Sequence, residues 1–228
     1  TIMGSVSFGL GLVVAPVLLL FLAPQSVVVT ANVAIAIVLS FVLVQTWRYL
    51  DLRLIRGMVL GGLLAVPIGV FALNSADPTV LRITIAGVIL VLGVLSLFNI
   101  QLPLTTRPYS GLLFGFFASL SVTTLSIGGP LAAIYVIAQK WPPEVMRASL
   151  AFYFLVADVL AFILYAWVGL VDRDTLINIG LLVPGLIAGF GLAMFLVRRM
   201  NEKVFRYAAI LVIITGSLLL LGREVVTL

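Results

Sequence analysis

The stretch SVTTLSIGGPLAAIYVIAQKW, residues 121–141, decides how the rest of the chain is read. Six hydroxyl or glycine residues precede its first proline: Ser121, Thr123, Thr124, Ser126, Gly128 and Gly129. They interrupt an apolar run that opens near residue 108 and closes at 138. A straight membrane helix has no need of such a break. Non-helical backbone at membrane depth is tolerated only when it is buried in protein or lines a cavity.

The surrounding composition makes the membrane the right frame. Of 228 residues, 63% are hydrophobic and 9% charged, against about 25% charged in a soluble domain. Apolar stretches of about 20 residues recur along the chain, as transmembrane helices require. No polar stretch is long enough for a separate soluble domain, so residues 1–228 form one transmembrane domain. Cysteine and histidine are absent. That removes disulfides, thiol chemistry, histidine-based metal sites and Ser-His triads, and no cofactor or metal is expected. The pI near 10.0 reflects membrane-flanking Arg and Lys, since no basic polar domain exists to hold nucleic acid. The opening TIMGSVSFGLGLVV has no basic region of the kind that begins a signal peptide.

The segments read as 1–22 (broken by Gly9, Gly11 and Pro16), 27–47, 55–73, 80–99, 108–138, 145–168, 175–197 and 204–222. They repeat. Residues 9–99 overlay 126–222: VVVTANVAIAI (27–37) falls on EVMRASLAFYF (144–154), YLDLRLI on LVDRDTLI, and DPTVLR on NEKVFR. Arg48, Arg53 and Arg56 place the 48–56 loop in the cytoplasm, and Arg198, Arg199, Lys203 and Arg206 do the same for 198–206. The loops at 74–79 and 172–174 carry no such excess and belong outside. The basic loop is the second of one repeat and the third of the other, so the repeats are inverted. An even number of crossings must separate the two cytoplasmic loops. The four plain segments supply it only if 108–138 returns to its own side. Its 31 residues are too few for two full spans, which take about 40. Residues 108–138 are therefore expected to form a helical hairpin folded near Ser126–Gly129. Residues 1–22 would be the remnant of its twin, with some residues of that hairpin preceding Thr1. The expected fold is an all-α polytopic membrane protein of two inverted repeats, 1–100 and 108–222. Each is a broken-helix hairpin plus three transmembrane helices.

Two motifs carry a resemblance. GLGLVVAPVLLL (9–20) is similar to the glycine-rich, proline-ended opening of the TauE/SafE family of sulfite and organosulfonate exporters, and SIGGPLAAIYVI (126–137) resembles its second copy. Each precedes a helix opening on a small polar cluster, Thr30-Ala31-Asn32 or Arg147-Ala148-Ser149. The resemblance covers nearly the whole chain. It implies a secondary transporter of the bacterial inner membrane that exports a small sulfur-containing anion by alternating access.

A broken helix frees backbone N–H groups at a partly positive terminus, and glycine lets an anion approach them. The candidate substrate site is thus Gly9, Gly11, Ser126, Gly128 and Gly129, with donors from Thr123 and Thr124. Asn32 and Ser149 occupy equivalent places in the two repeats, and Arg147 stands at a possible vestibule. The same features also suit close helix packing and hydroxyls bonded to their own backbone. Asp158 is the sharpest residue. It lies inside LAFYFLVADVLAFILYAW, where an ionisable group is costly and marks function by default; proton coupling is its expected role. The expected partners are the anion, the bilayer and, as one option, a second copy in a homodimer. A transporter or channel for a different small metabolite is the main alternative, ahead of a structural membrane subunit. An intramembrane enzyme fits poorly without His, Cys or paired carboxylates in one helix.

Overall fold

A computed structural model describes residues 18–19, 22–97, 109–182, 184–185 and 215. Every regular element among them is helical. Helix α1 runs Pro24–Thr46 and passes through a short 3-10 turn, Trp47–Tyr49, into α2, Leu52–Ser75. Helix α3 is Pro78–Leu97, α4 Ser110–Leu125, α5 Gly129–Ala138 and α6 Pro143–Trp167. A further helix opens at 173 and continues through 182. The first hairpin, with Gly9 and Gly11, and most of the expected spans 175–197 and 204–222 lie outside the described residues.

Local chemistry sets where the helices start. Proline stands in the first turn of α1, α5 and α6, where its missing N–H removes nothing the helix would use. Asp51 Oδ1 accepts from the Arg53 amide at 2.9 Å. Asp77 Oδ1 accepts from the amides of Thr79 and Val80 at 2.9 and 3.1 Å. These carboxylates cap α2 and α3. They explain why the helices begin two or three residues before the hydropathy boundaries at 55 and 80. Arg53 and Arg56, read as loop residues, sit in the first turns of α2 because Asp51 caps it.

Helices α2 and α4 run parallel and nearly touch along their backbones. Gly57 and Gly61 on α2 face Gly111 and Gly115 on α4, two GxxxG patterns in register. A Cβ at Gly61 would strike the Leu112 carbonyl oxygen, and one at Gly115 the Met58 carbonyl oxygen. Small residues at this spacing let membrane helices approach closely where the hydrophobic effect gives no drive. Further along, Gly62 receives Ser119 and Tyr153, and Gly69 receives Thr123.

The segment expected to fold back does so. Phe114 stacks on Tyr135 at 5.7 Å, while a Cβ at Gly128 would meet Val122 near the other end of α4. Early α4 thus packs on late α5, and late α4 on early α5. At 16 and 10 residues the arms are about 24 and 15 Å long, each shorter than the roughly 30 Å hydrocarbon core. Helix α6 lies antiparallel to α1. Its Leu150–Phe154 region packs with Leu39 and Val42, and its Ala157, Ala161 and Tyr165 with Val27–Val29.

These pairings gather Arg48, Arg53, Arg56, Lys140 and Arg147 at one end of the bundle. Asp77, Asp172 and Asp174 collect at the other. Among the described residues three helices, Pro24–Tyr49, Leu52–Ser75 and Pro143–Trp167, are long and apolar enough to cross a membrane. Helix α2 turns Leu60, Leu64, Ile68 and Phe71 outward, the stripe that lipid would cover. The chain is a membrane protein built of helices.

Candidate functional site

Two apolar clusters fill the bundle, one around Val27–Val29, Val70 and Ala161, the other around Leu39, Met58, Val122 and Tyr153. Buried polar side chains lie around their junction: Thr30, Asn32, Thr123, Ser126 and Asp158. The hairpin turn is the centre of this layer.

The turn falls within the expected Ser126–Gly129 stretch. Ser126, not a glycine, takes the left-handed conformation that ends α4, at φ 59° and ψ 24°. A non-glycine residue there costs about 1–2 kcal/mol. The Ser126 amide donates to the Val122 carbonyl at 2.9 Å and the Ile127 amide to that of Ser121 at 3.3 Å. Ser126 Oγ donates to Asn32 Oδ1 at 2.8 Å, so a side chain from α1 helps hold the strained residue. Gly128 has φ −99° and needs no special freedom. It is required for closeness, since a Cβ would meet the Ala118 carbonyl oxygen and Val122. Gly129 opens α5, whose N-terminus leaves backbone donors without helical partners; Pro130 supplies none.

Asn32 is fully engaged. Its Nδ2 donates to the Val122 carbonyl and to the Tyr165 hydroxyl oxygen, each at 3.2 Å. Tyr165 in turn donates to the Thr123 carbonyl at 2.6 Å. One network therefore ties α1, the end of α4 and α6 together. A second tyrosine of α6 repeats the motif lower down. Tyr153 donates to the Gly115 carbonyl at 2.7 Å and pairs with Ser119 Oγ at 2.7 Å.

Thr123 and Thr124 spend their hydroxyl protons on their own helix, on the carbonyls of Ser119 at 2.8 Å and Leu120 at 2.7 Å. In this arrangement they offer lone pairs, not donors, to an anion.

Asp158 is 2% exposed, and neither carboxyl oxygen has a hydrogen-bond partner among the described residues. An isolated buried carboxylate costs several kcal/mol. It stands nine residues, about 14 Å, from the Trp167 end of α6. It is only three residues, about 4.5 Å, past the helix midpoint, inside the apolar run as expected. Residues 151, 154, 158, 161 and 165 form a buried stripe, so Asp158 and Tyr165 share one face. The antiparallel pairing puts Thr30 of α1 near its level; that hydroxyl too is buried without a partner among the described residues. Ser149 Oγ is likewise buried with no partner among the described residues, but Ser149 and half-buried Arg147 sit toward the basic end. The structure does not bring them to the Asn32–Ser126 cluster.

Tyr153, Tyr165 and Ser119 escaped the sequence reading. A tyrosine in an apolar run looks like core, and only the seven-residue spacing from Asp158 to Tyr165 marked it. No group of three or more metal-binding side chains occurs among the described residues.

Comparison with known proteins gives two matches. The model of the sulfite exporter TauE/SafE family matches residues 1–220. A probable sulfite/organosulfonate exporter TauE of Cupriavidus necator is 30% identical over 190 residues, spanning 78% of this chain and 72% of that relative. No solved structure matches.

Proposed function

The chain belongs to the TauE/SafE family of membrane transporters, and from that premise we propose that it exports sulfite or a small organosulfonate across a bacterial inner membrane. The observation that carries the reading is the hairpin turn, a polar break held at the junction of two apolar clusters by side chains from two other helices. Such breaks are where secondary transporters place their substrates. The relative's printed description supplies the anion class.

The mechanism is alternating access, with the multi-pass chain arranged as two inverted repeats. The N-terminus of α5 and the Ser126–Gly129 turn receive the anion's oxygens, and Gly9–Gly11 would do so from the opposite repeat. The basic end, with Arg48, Arg53 and Arg56, faces the cytoplasm, so a cytoplasmic anion meets positive charge first. Asp158 carries the coupled proton. Its oxygens have no hydrogen-bond partner among the described residues, and it lies on the α6 face that also bears Tyr165. A proton held there would let an anion pass without repulsion.

The test is efflux from proteoliposomes loaded with sulfite, an organosulfonate or a neutral metabolite. The expected result is efflux of sulfite or the sulfonate, faster with an imposed proton gradient. Flux of the neutral metabolite alone would instead favour the alternative of an unrelated substrate.

A further inference from the structure

We propose that Asn32, Ser126 and Tyr165 form a latch that the transported anion competes for and opens, the same donors holding the helices together when the site is empty and holding the anion when it is full. This inference rests on the exporter reading and adds how substrate binding drives the conformational change.

Three features point to it. Every donor in the cluster is spent on a protein acceptor: Ser126 Oγ on Asn32 Oδ1, Asn32 Nδ2 on the Val122 carbonyl and Tyr165, and the Tyr165 hydroxyl on the Thr123 carbonyl. These are the donors an oxyanion would want, and they converge on the turn from three helices. The latched turn is also strained, because Ser126 sits at φ 59° where glycine is the natural occupant. A strained non-glycine residue at a helix break, held by a distant side chain, is a device that can release. Finally, the latch has two faces of different character. Breaking it costs hydrogen bonds between neutral groups. An anion repays them with charge-assisted bonds, which are roughly twice as strong. Substrate thus opens a latch that thermal motion leaves closed.

The chain has no cysteine, so a single introduced thiol reports cleanly. Ala161 is buried one turn from Tyr165 on the same face of α6, outside the turn that receives the anion. In Ala161→Cys protein in proteoliposomes, labelling by a small maleimide is expected to be slow without substrate. Saturating sulfite should quicken it by roughly fivefold, the factor that about one net hydrogen bond corresponds to. Two latch variants in the same background, Tyr165→Phe and Ser126→Gly, should label at the faster rate without sulfite. Ser126→Gly removes the hydroxyl while giving the turn the residue its backbone favours, so it folds where a bulkier change would not. Sulfite efflux by the Ala161→Cys protein is measured in the same vesicles. If efflux is intact but sulfite leaves labelling unchanged, or if Ser126→Gly stays as protected as its parent, the latch is overturned and the exporter reading stands. If neither the wild-type chain nor Ala161→Cys carries sulfite or sulfonate, the exporter reading falls and the latch with it.

Discussion

The seam between α2 and α4 and the tip of the hairpin lie on the same helix, yet they are held by opposite means. Along the seam, glycines bring backbone against backbone, and a single added carbon at Gly61 or Gly115 would strike a carbonyl oxygen. Shape alone sets that contact, and it has one solution. At the tip, three side chains and two backbone carbonyls exchange hydrogen bonds at 2.6–3.2 Å, while the buried side-chain oxygens of Thr30 and Asp158 nearby have no partner among the described residues. Hydrogen bonds can be traded for others; interlocked backbones cannot. On the latch proposal, the seam belongs to the frame and the tip to the moving part.

The strongest way to break that contrast is to damage the frame. Gly61→Leu should cost about 3 kcal/mol or more through overpacking and leave little folded protein by thermal melting in detergent. Gly87→Ala is the control. Nothing lies within 4 Å of a Cβ there, so its stability should match or exceed wild type by up to about 1 kcal/mol. Next comes Asp158→Asn, which keeps the shape and removes the ionisable group. It should assemble normally and still carry anion, while the proton-gradient dependence of efflux disappears; full dependence in the variant would remove Asp158 from coupling.

The two tyrosines of α6 sharpen the contrast because they make the same bond in different regions. Tyr153→Phe and Tyr165→Phe should each cost about 1 kcal/mol of stability. Only Tyr165→Phe should alter transport, since Tyr153 bolts α6 to the seam through Gly115 and Ser119. Equal transport defects in both would erase the distinction.

The smallest effect belongs to the far end of the bundle. Exposed Asp172 is hydrogen-bonded by Thr175, which holds its carboxyl below the usual carboxylate range, and its Oδ1 accepts from the Thr175 amide at 2.7 Å. Because the folded value is the lower one, this cap contributes fully at neutral pH and is lost as pH falls through that depressed value. Amide exchange in residues 173–182 should accelerate over that acidic window in wild type and be insensitive to it in Asp172→Ala.

Much of this was legible in the sequence. The shortage of charge gave the membrane class, and the parity of crossings demanded a chain reversal within 108–138. Asp158 stood out because a charge in an apolar run has no cheap explanation. Asn32 and Ser126, singled out separately, turn out to bond each other. What was hidden was contact between distant segments. The GxxxG patterns at 57–61 and 111–115 look like ordinary small residues until a fold sets them face to face. The choice of Ser126 over Gly128 as the left-handed residue was also hidden. It depends on Asn32, 94 residues away, and no local propensity could reveal it.

The contrast between frame and tip is tested most directly by two distances in one cysteine-free chain. Spin labels on Leu64→Cys and Phe117→Cys span the seam, and labels on Leu125→Cys and Ile163→Cys span the tip. Dipolar spectroscopy in lipid, with and without sulfite, should show the tip distribution shifting and the seam distribution unchanged. A seam that moves as much as the tip, or a tip that stays fixed while the labelled protein still carries sulfite, would contradict the account.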